Sequence, residues 1–405
     1  MARALGSYPG CREFESPFRY FFMPGTAVCG SGLVFFRRLG FPHGGPVLAE
    51  GGADRGLENV YRHKDSLYDI LFLFKANHSH GYGDQSMLTF IVNPNAGGEK
   101  GYRIWKRMER RLIKKNIAYQ VLLTGGRGEA QAIAAELTAD LNQRVREAAG
   151  EPAEPMTLVA VGGDGIMNEV IDGVHLSEDL ILGFIPIGGR SDLAMGLGLP
   201  RRPEACLKRI LEPKEIRRMD YGVVDYNRAE PTHRRFAVSC GCGFDAAVTQ
   251  TLRRHALRHF TGIPVLYKFR KFLLSFHCLL QTRPTKGYLV LDEERRIELN
   301  HIFLLSALIQ PTEGGGMHLA PGAQNTDGEM TVTILHNRSK VQLFRVLMTS
   351  LFRNPTNYAG VRSYSCRELS VYLEEPMPMQ TDGEFCGMHA EYNIRCVRQK
   401  IRIIC

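Results

Sequence analysis

The sequence lacks long hydrophobic runs, paired cysteines and any strong compositional bias, and each absence excludes a class of protein. No stretch of the 405 residues reaches the roughly 20 apolar residues that a membrane-spanning helix needs. Hydrophobic residues make up 44% and charged residues 23% of the chain, which excludes a wholly disordered, collagen-like or disulfide-scaffold protein. Since domains average about 150 residues, the length predicts a globular protein of two or three domains.

The 10 cysteines form no CxxC pair, so the sequence offers no obvious zinc cage. The close pair Cys240 and Cys242 would project from the same face of a strand. Small buried thiols in a reduced protein explain this pattern best, and the corresponding prediction is a cytoplasmic location.

Positive charge exceeds negative charge, with 51 Lys and Arg against 42 Asp and Glu, a formal net charge of +9. This excess favours an anionic partner, namely a nucleotide, a nucleic acid or an acidic membrane surface, without choosing among them. No stacking or groove-reading motif supports the second of these, so the sequence predicts no nucleic-acid binding.

Residues 1–86 differ from the rest of the sequence. They show no sustained strand or helix period, and Gly and Pro interrupt aromatic pairs such as Phe21-Phe22. A regular pattern begins at Met87, where a buried-strand run leads to Asn93-Pro94. Two interpretations are open: the reading frame was assigned too far upstream and Met87 is the true start, or residues 1–86 are a genuine but poorly ordered extension.

Strand-like and helix-like segments alternate from Met87 to about residue 219. The predicted strands cover 87–92, 117–123, 158–161 and 181–187, and the predicted helices cover 102–115, 129–147 and about 167–174. Strands separated by helices pair in parallel, with helices on both faces of the sheet. Ligands of such sheets bind beyond the carboxyl ends of the strands. The sequence therefore predicts a parallel α/β domain at 87–219.

Strands predominate after about residue 220, which indicates a second, mainly antiparallel β domain. The strand candidates are 235–240, 287–291, 302–307, 330–335 and 369–373. A helical stretch at 251–280 is inserted between them, and residues 341–352 are a weaker candidate for contact with a membrane. The inserted stretch interleaves basic with large apolar residues, which suits a helix on an anionic membrane or an ordinary helix with a solvated basic face. Its basic residues are Arg253, Arg254, Arg258, Lys268, Arg270 and Lys271.

Four glycine-containing turns carry the candidate chemistry. They are NPNAGG at 93–98, GGDGIMNE at 162–169, IPIGGRSDLA at 185–194 and TDGE at 381–384. Glycines let backbone N–H groups and a helix N-terminus face a phosphate. Asp164 and Asp192 would stand beside that anion, as expected if a divalent cation bridges them or a proton is removed. Such an Asp can also be a simple N-cap, and the last turn alone would be an ordinary hairpin.

Together the turns resemble the diacylglycerol kinase catalytic domain family, which includes bacterial diacylglycerol kinases and sphingosine kinases. The matching segments run from about Met87 to Glu384 and read NPNAGG, LLTGGRGEA, GGDGIMNEV, IPIGGRSDLAMGLGLP, CGCGFDA, GGGMHLAPGAQNTDGEM and TDGEF. The resemblance implies a two-domain α/β lipid kinase. A Rossmann-like nucleotide-binding domain with a parallel sheet would occupy 87–219, and a mainly antiparallel β-sandwich lipid-binding domain would occupy 220–405.

The resemblance also implies a reaction, in which ATP and Mg²⁺ serve to phosphorylate the hydroxyl of diacylglycerol and give phosphatidic acid. The enzyme would work peripherally at the inner, anionic face of the membrane. Glu384 would accept the hydroxyl proton, and Asp164 and Asp192 would organise the catalytic Mg²⁺. A second, structural Mg²⁺ would be held by Gln324, Asp327 and Glu329, an oxygen set that suits this ion. The residues expected to hold ATP are Asn93, Pro94, Asn95, Ala96, Gly97, Thr124, Gly162, Gly163, Asp164, Gly165, Ile166, Met167, Asn168 and Gly189.

Two positions depart from the family pattern. The family usually has Thr where this chain has Ile166, and Gly-Thr-Gly/Ala-Asn-Asp where it has Gly-Gly-Arg-Ser-Asp at 188–192. The hydroxyl missing at Gly189 removes a nucleotide contact, for which Arg190 would compensate if it reached a phosphate. The residues after about 394 are expected to leave little length for a return to the first domain.

Three alternatives to the diacylglycerol kinase remain open at this point. They are a kinase of another hydroxylated lipid such as a sphingoid base, an NAD kinase, which shares the GGDG turn, and a weakly active nucleotide- or lipid-binding regulator. The downstream motifs through Asp382-Gly383-Glu384 argue against the NAD kinase. The sequence decides neither the lipid class nor whether a homodimer forms.

Overall fold

The computed structural model describes residues 28–29, 32–38, 71–76, 88–147, 155–226, 232–254, 264–350 and 358–405. Side chains are described from residue 88 onward, except for residues 140, 142–147 and 253–272. The strands are β1 (Val28–Cys29), β2 (Gly32–Arg38), β3 (Leu71–Ala76), β4 (Leu88–Val92), β5 (Tyr119–Leu123), β6 (Met156–Gly162), β7 (Leu180–Pro186), β8 (Ile216–Tyr226), β9 (Thr232–Phe236), β10 (Ser239–Gly243), β11 (Thr285–Leu291), β12 (Arg295–Leu308), β13 (Met330–His336), β14 (Val361–Cys366), β15 (Glu368–Thr381) and β16 (Glu384–Ile404).

The helices of these residues are α1 (Ala96–Glu99), α2 (Gly101–Lys114), α3 (Glu129–Glu147), α4 (Asp164–Gly173), α5 (Asp192–Gly196), α6 (Pro203–Leu211), α7 (Phe244–Arg254), α8 (Pro264–Gln281) and α9 (Lys340–Ser350). The strands pair into one sheet in the order β1-β2-β3-β5-β4-β6-β7-β16-β15-β10-β12-β13-β14. In addition, β11 pairs with β12 and β15, and β8 pairs with β16 and β9.

The four strands β4 to β7 pair in parallel, as predicted. Nearly every residue of these strands is buried, because helices cover both faces of a parallel sheet. On one face, α2 packs through Trp105, Met108 and Leu112, whose spacing of three and four residues places them on one side of the helix. On the other face, α3 and α4 bury a second apolar cluster against the same strands.

The prediction of a purely parallel sheet holds only in part, because β3 pairs antiparallel with β5. The strands β1, β2 and β3 come from a segment for which the sequence predicted no element. The rest of residues 1–86, and Met87 after them, lie outside the described residues. Both interpretations of residues 1–86 stay predictions. N-terminal sequencing of the natural protein distinguishes them.

The strands from β8 onward pair antiparallel with one another, which confirms the mainly antiparallel second part. The strands β10 and β11 each pair with both β12 and β15, so these four strands close on themselves. Apolar side chains fill the interior of this arrangement, among them Phe236, Leu305 and Val371. The buried Cys240 and Cys242 lie on its inner face, as predicted, and the cysteines that the structure describes are all free.

The long strand β16 joins the two parts. It pairs first with β15 and β8, and its end comes to lie parallel to β7, with Ile403 opposite Leu182. Ile401, Ile403 and Cys405 are buried in the core of the first part. The expectation that residues 394–405 leave little length for a return to the first domain is therefore wrong. An extended strand advances about 3.3 Å per residue, so the last residues of β16 are long enough to reach β7.

The predicted helical stretch at 251–280 forms two helices, α7 and α8. The side chains of its basic residues lie outside the described part of the chain, so the predicted basic face stays a prediction. None of the described helices combines the length and apolarity that a membrane span requires.

Candidate active site

The turns that follow β4, β5, β6 and β7 meet at one edge of the sheet, because parallel strands end on the same side. Direct contacts hold them together: the amide of Ile187 donates to Gly162 O at 2.6 Å, and that of Asn93 donates to Val161 O at 2.9 Å. Gly97 has a φ of +64°, and a Cβ there would lie 3.1 Å from Ile187 Cγ2. Glycine at position 97 therefore allows both the turn and the close approach of its neighbour.

Several residues that the sequence predicted to bind the nucleotide use their side chains for contacts inside the protein. The hydroxyl of Thr124 is buried and lies 3.4 Å from Val92 O. The Asn93 side-chain oxygen accepts from the amide of Asn95 at 2.9 Å, which shapes the first turn. Met167 is fully buried in the core. A nucleotide at this edge would accordingly meet mainly backbone N–H groups.

The two departures from the family pattern differ in their surroundings. Ile166 is buried beneath the second turn, and a Cβ at Gly162 would come within 2.8 Å of its Cγ2. Gly189 faces open space, with no atom within 4 Å of the position its Cβ would take. Arg190 is exposed and lies beside Gly316.

Asp164 is the first residue of α4 and links two of the turns. Gly163 is the N-cap of the helix, so the Asp164 carboxylate is free to reach across. It accepts a hydrogen bond from the Ser191 hydroxyl and another from the Asp192 amide at 3.0 Å. Burial raises the pKa of Asp164 to about 6, with the charges of Asp192 and Asp382 adding to the effect and the two hydrogen bonds opposing it.

Asp192 ties the first part of the chain to the second. Its carboxylate accepts hydrogen bonds from the amides of Gly315 at 2.7 Å and Gly316 at 2.8 Å. Ser191, the N-cap of α5, accepts from the Ala194 amide at 3.0 Å and so fixes the start of this short helix. Asp192 therefore positions a glycine loop of the β part against the turn after β7.

Asp382, to which the sequence assigned no role, is a second tie between the two parts. Its carboxylate accepts from the amides of Ala237, Val238 and Ser239 at 2.7–2.9 Å and from Asn168 Nδ2 at 2.8 Å. Burial raises its pKa, against the effect of these four hydrogen bonds. Its position in the TDGE motif was the available signal, but a hairpin motif does not reveal partners far away in the sequence.

Glu384 lies two residues further on and is held by two arginines. Its Oε2 is 2.6 Å from Arg127 Nη2 and 3.0 Å from Arg234 Nη2. Burial alone would raise the pKa of Glu384, but the hydrogen bonds and charges of the two guanidinium groups outweigh it and lower the pKa. Sequence reasoning missed both arginines, although Arg127 stands within the motif LLTGGRGEA.

A cavity of about 540 Å³ opens beside Asp164, Asp192 and Asp382. Its polar end is formed by Asp164, Asp192, Ser239, Asp382 and Gly383. The part of the cavity between α7, α8 and α9 is mainly apolar and is lined by Val248, Leu252, Phe276, Leu279, Phe344 and Leu347. The arrangement suits an amphiphile whose polar group lies at the carboxylates and whose chain lies among the helices.

A buried polar network forms one wall of the cavity. Glu313 accepts from Ser239 Oγ at 2.8 Å, from Gln380 Nε2 at 2.6 Å and from Ser306 Oγ at 2.7 Å. The same Gln380 nitrogen donates to Asp245 at 2.9 Å, which joins two carboxyl groups in one network. Burial and then the charge of Asp245 raise the pKa of Glu313 to about 8.

The network predicts a pH dependence of stability. Because the folded state keeps the Glu313 proton above the ordinary value of 4.5, stability should fall as the pH rises from about 4.5 to about 8. Asp164 and Asp382, whose pKa values burial also raises, contribute to the same fall. Glu313→Gln is neutral at every pH and should remove the Glu313 contribution, with a melting temperature above the wild type by on the order of 5 °C at alkaline pH. Thermal melts of both proteins between pH 5 and 9 provide the measurement, and parallel curves would contradict it.

The predicted structural metal ligands lie on one loop between β12 and β13. Gln324 and Asp327 are exposed, and Asp327 Oδ1 accepts from the Glu329 amide at 3.0 Å. Buried Asp220 holds the loop through the amide of Gly328 at 2.7 Å. Within the described ranges, no three His, Cys, Asp or Glu side chains gather as a metal site. Carbonyl groups and water would have to complete any coordination on this loop.

Comparisons with known proteins agree with this architecture. Residues 87–224 match the family described as diacylglycerol kinase catalytic domain, and residues 238–405 match the YegS C-terminal NAD kinase beta sandwich-like domain. The provisionally named lipid kinase YtlR of Bacillus subtilis (strain 168) is 26% identical over 304 residues, covering 74% of this chain and 93% of the relative. A diacylglycerol kinase of the same strain is 25% identical over 300 residues, covering 74% and 89%.

A solved structure shows the same fold. The crystal structure of a diacylglycerol kinase from Bacillus anthracis str. Sterne superposes with a TM-score of 0.57 at 14% identity, covering 80% of this chain and 98% of that one. The chain thus carries a diacylglycerol kinase catalytic domain at residues 87–224 and a YegS-type C-terminal β-sandwich-like domain at residues 238–405. It is a lipid kinase, as the order of its turns predicted.

Proposed function

We propose that the protein transfers the γ-phosphate of ATP to the hydroxyl of diacylglycerol and releases ADP and phosphatidic acid. The observation that carries this proposal is the cavity that runs from apolar helices to the carboxylates at the sheet edge. One end suits acyl chains, and the other places a hydroxyl beside the glycine turns. Phosphoryl transfer requires positioned anion-binding groups and one proton acceptor more than covalent chemistry.

The nucleotide would bind over the Rossmann-like platform of β4 to β7. The turn at 162–165 lies at the N-terminus of α4, whose positive end and first backbone N–H groups favour a phosphate there. The turn at 93–97 lies beside it, with its own amides of Asn93, Asn95 and Ala96 bonded inside the protein. Gly163, Gly165 and Gly189 add no side chain that would block the approach of a phosphate.

The residues around Asp164 fit a divalent cation. Asp164 lies close enough to Asp192 and Asp382 for their charges to raise its pKa, and neither the salt bridges nor the hydrogen bonds of the described residues give it a cationic partner. Mg²⁺ bound there would neutralise charge on the transferring phosphate. Asp164 would hold the ion directly or through water, and Asp192 would orient the turn. The loop with Gln324, Asp327 and Glu329 would hold the second Mg²⁺.

Glu384 would act as the general base. As the lipid oxygen attacks phosphorus, the new O–P bond forms, the bond to ADP breaks and the hydroxyl proton passes to the Glu384 carboxylate. Asp382 supports this role because its four hydrogen bonds fix the hairpin that carries Glu384.

Transfer of labelled γ-phosphate from ATP to a panel of acceptors tests the proposed function. The panel contains diacylglycerol, a sphingoid base and NAD in mixed micelles with an anionic phospholipid. Labelled phosphatidic acid as the main product supports the proposal. A labelled sphingoid base favours the second candidate, which the same cavity would accommodate, and no transfer at all favours a nucleotide- or lipid-binding regulator.

The cavity also indicates how a lipid would enter. On α8, Leu273, Phe276 and Leu280 are 48%, 40% and 53% exposed and lie on one side of the helix, where Phe276 also lines the cavity. Val341 on α9 is 66% exposed. We propose that this apolar surface docks on an anionic membrane, with the enzyme peripheral at its inner face in the cytoplasm.

Docking on a membrane predicts an effect of charge on α8. The double variant Leu273→Glu/Leu280→Glu should bind vesicles of anionic phospholipid at least about 10-fold more weakly, because it places two carboxylates in the interface. Co-sedimentation with vesicles measures this. Ile113→Glu, at a 43% exposed position on α2, is the matched control and should sediment like the wild type. Equal sedimentation of all three proteins would refute the docking surface.

A further inference from the structure

Two guanidinium groups share one oxygen of Glu384. The distances from its Oε2 are 2.6 Å to Arg127 and 3.0 Å to Arg234. One negative charge thus faces two positive charges at the edge where the glycine turns meet. A single carboxylate oxygen therefore serves two guanidinium groups, one of which has a further carboxylate, Asp172, near it.

The two arginines are held very differently. Arg234 lies on β9 with its side chain 19% exposed, and its Nε is 3.7 Å from Asp172 Oδ2, a second anionic partner. Arg127 stands between two glycines in the turn after β5, and its side chain is 51% exposed. In the part of the chain that the structure describes, the ion pair of Arg127 is with Glu384 alone.

The backbone of the Arg127 turn is nevertheless anchored. The Glu129 carboxylate accepts a hydrogen bond from the amide of Gly125 at 2.6 Å, and the Thr124 amide donates to Val92 O at 2.9 Å. The side chain of Arg127 can therefore change partner while its turn stays beside the turn that contains Asp164. A guanidinium on a fixed backbone is well suited to bind phosphate oxygens, which offer it more charge than one carboxylate and a bidentate geometry.

We propose that Arg127 binds the terminal phosphate of the nucleotide and, by moving to it, releases Glu384, which Arg234 then orients alone. The proposal rests on the proposed function, since it requires a nucleotide at this edge. Glu384 would contact both arginines before the nucleotide binds and would lose Arg127 afterwards, so a competent base would exist only in the loaded enzyme. Arg127 would contact the phosphate, and Arg234 would be a positioning residue.

The charges that face Glu384 define the pH dependence of this step. They are Arg127 from the turn after β5, Arg234 from β9 and Glu169 from α4, with Asp172 behind Arg234 and the thiol of Cys386 on the same strand. Removing one guanidinium raises the pKa of the carboxylate, because an opposite charge that favoured ionisation is lost.

Nucleotide affinity provides the first test. Arg127→Gln should weaken ATP binding by about 10- to 100-fold and ADP binding by less than about 3-fold, since ADP lacks the phosphate in question. Isothermal titration of the full-length protein measures both constants, and Arg127→Lys, which keeps the charge, should be intermediate. Arg107→Gln on α2, exposed and paired with Glu204, is the control and should bind like the wild type. ATP binding unchanged in Arg127→Gln overturns the proposal.

The pH profile provides the second test. In the wild type, the acid limb of the pH profile of kcat/KM for ATP gives the pKa of Glu384 while both arginines contact it. The acid limb of the kcat profile gives the pKa of Glu384 after Arg127 has moved to the phosphate. The limb of kcat should lie at higher pH, and in Arg127→Gln the two limbs should coincide. Coincident limbs in the wild type overturn the proposal. If no lipid is phosphorylated at all, the proposed function fails, whereas the ATP and ADP affinities still decide the role of Arg127.

Discussion

Glu384→Gln is expected to slow lipid phosphorylation by about 10²- to 10⁴-fold, the range in which a general base contributes. The amide is close in size and keeps a hydrogen-bond acceptor for Arg234, but it cannot take the proton. Nucleotide affinity should be retained, because Arg127 loses a competing carboxylate. Initial rates with ATP and micellar lipid, together with a nucleotide titration, measure both quantities.

The control for Glu384→Gln is the same change at an exposed carboxylate of the neighbouring strand. Glu374 on β15 is exposed, and Glu374→Gln should leave the rate within about 2-fold of the wild type, as is usual for exposed polar positions. A Glu384→Gln enzyme that retains most of its rate would remove Glu384 from the mechanism and leave phosphate positioning as the source of catalysis.

Asp382→Asn is expected to destabilise the fold by about 3 kcal/mol or more, because buried donors would lose an ionised acceptor. Three backbone amides and the Asn168 amide donate to the Asp382 carboxylate. An asparagine presents N–H groups to some of these donors, so at least one stays unsatisfied. Urea unfolding followed by circular dichroism measures the free energy of unfolding.

A milder variant of the same network sharpens this test. Asn168→Ala removes one donor and leaves the carboxylate with its three backbone partners, so about 1 kcal/mol should be lost. If Asp382→Asn costs no more than Asn168→Ala, the Asp382 carboxylate is not the tie between the two parts that its contacts indicate.

Local patterns in the sequence were sufficient for the first part of the chain. The helix predicted at 129–147 has the same bounds as α3, and the helix predicted at 102–115 differs from α2 by one residue at each end. The glycine turns were correctly placed after the strands. These features depend on residues a few positions apart, which is why periodicity and turn composition reveal them.

The sequence missed features that depend on distant partners. The strands β1 to β3, the course of β16 back to β7 and the arginines around Glu384 were not predicted. Arg234 and Glu384 are 150 residues apart, and Asn168 and Asp382 are 214 apart. A hairpin that reads as an ordinary turn becomes part of the site only when the chain brings these residues together.

The sequence by itself determined the class of the protein, through the order of its glycine turns and the alternation of strands and helices. Only the tertiary structure decided which carboxylates are tied to backbone amides, which one faces arginine, and where the apolar cavity meets them. The physical reason is that backbone conformation and hydrophobic period are local properties, whereas burial and charge pairing are set by residues that meet only after the chain has folded.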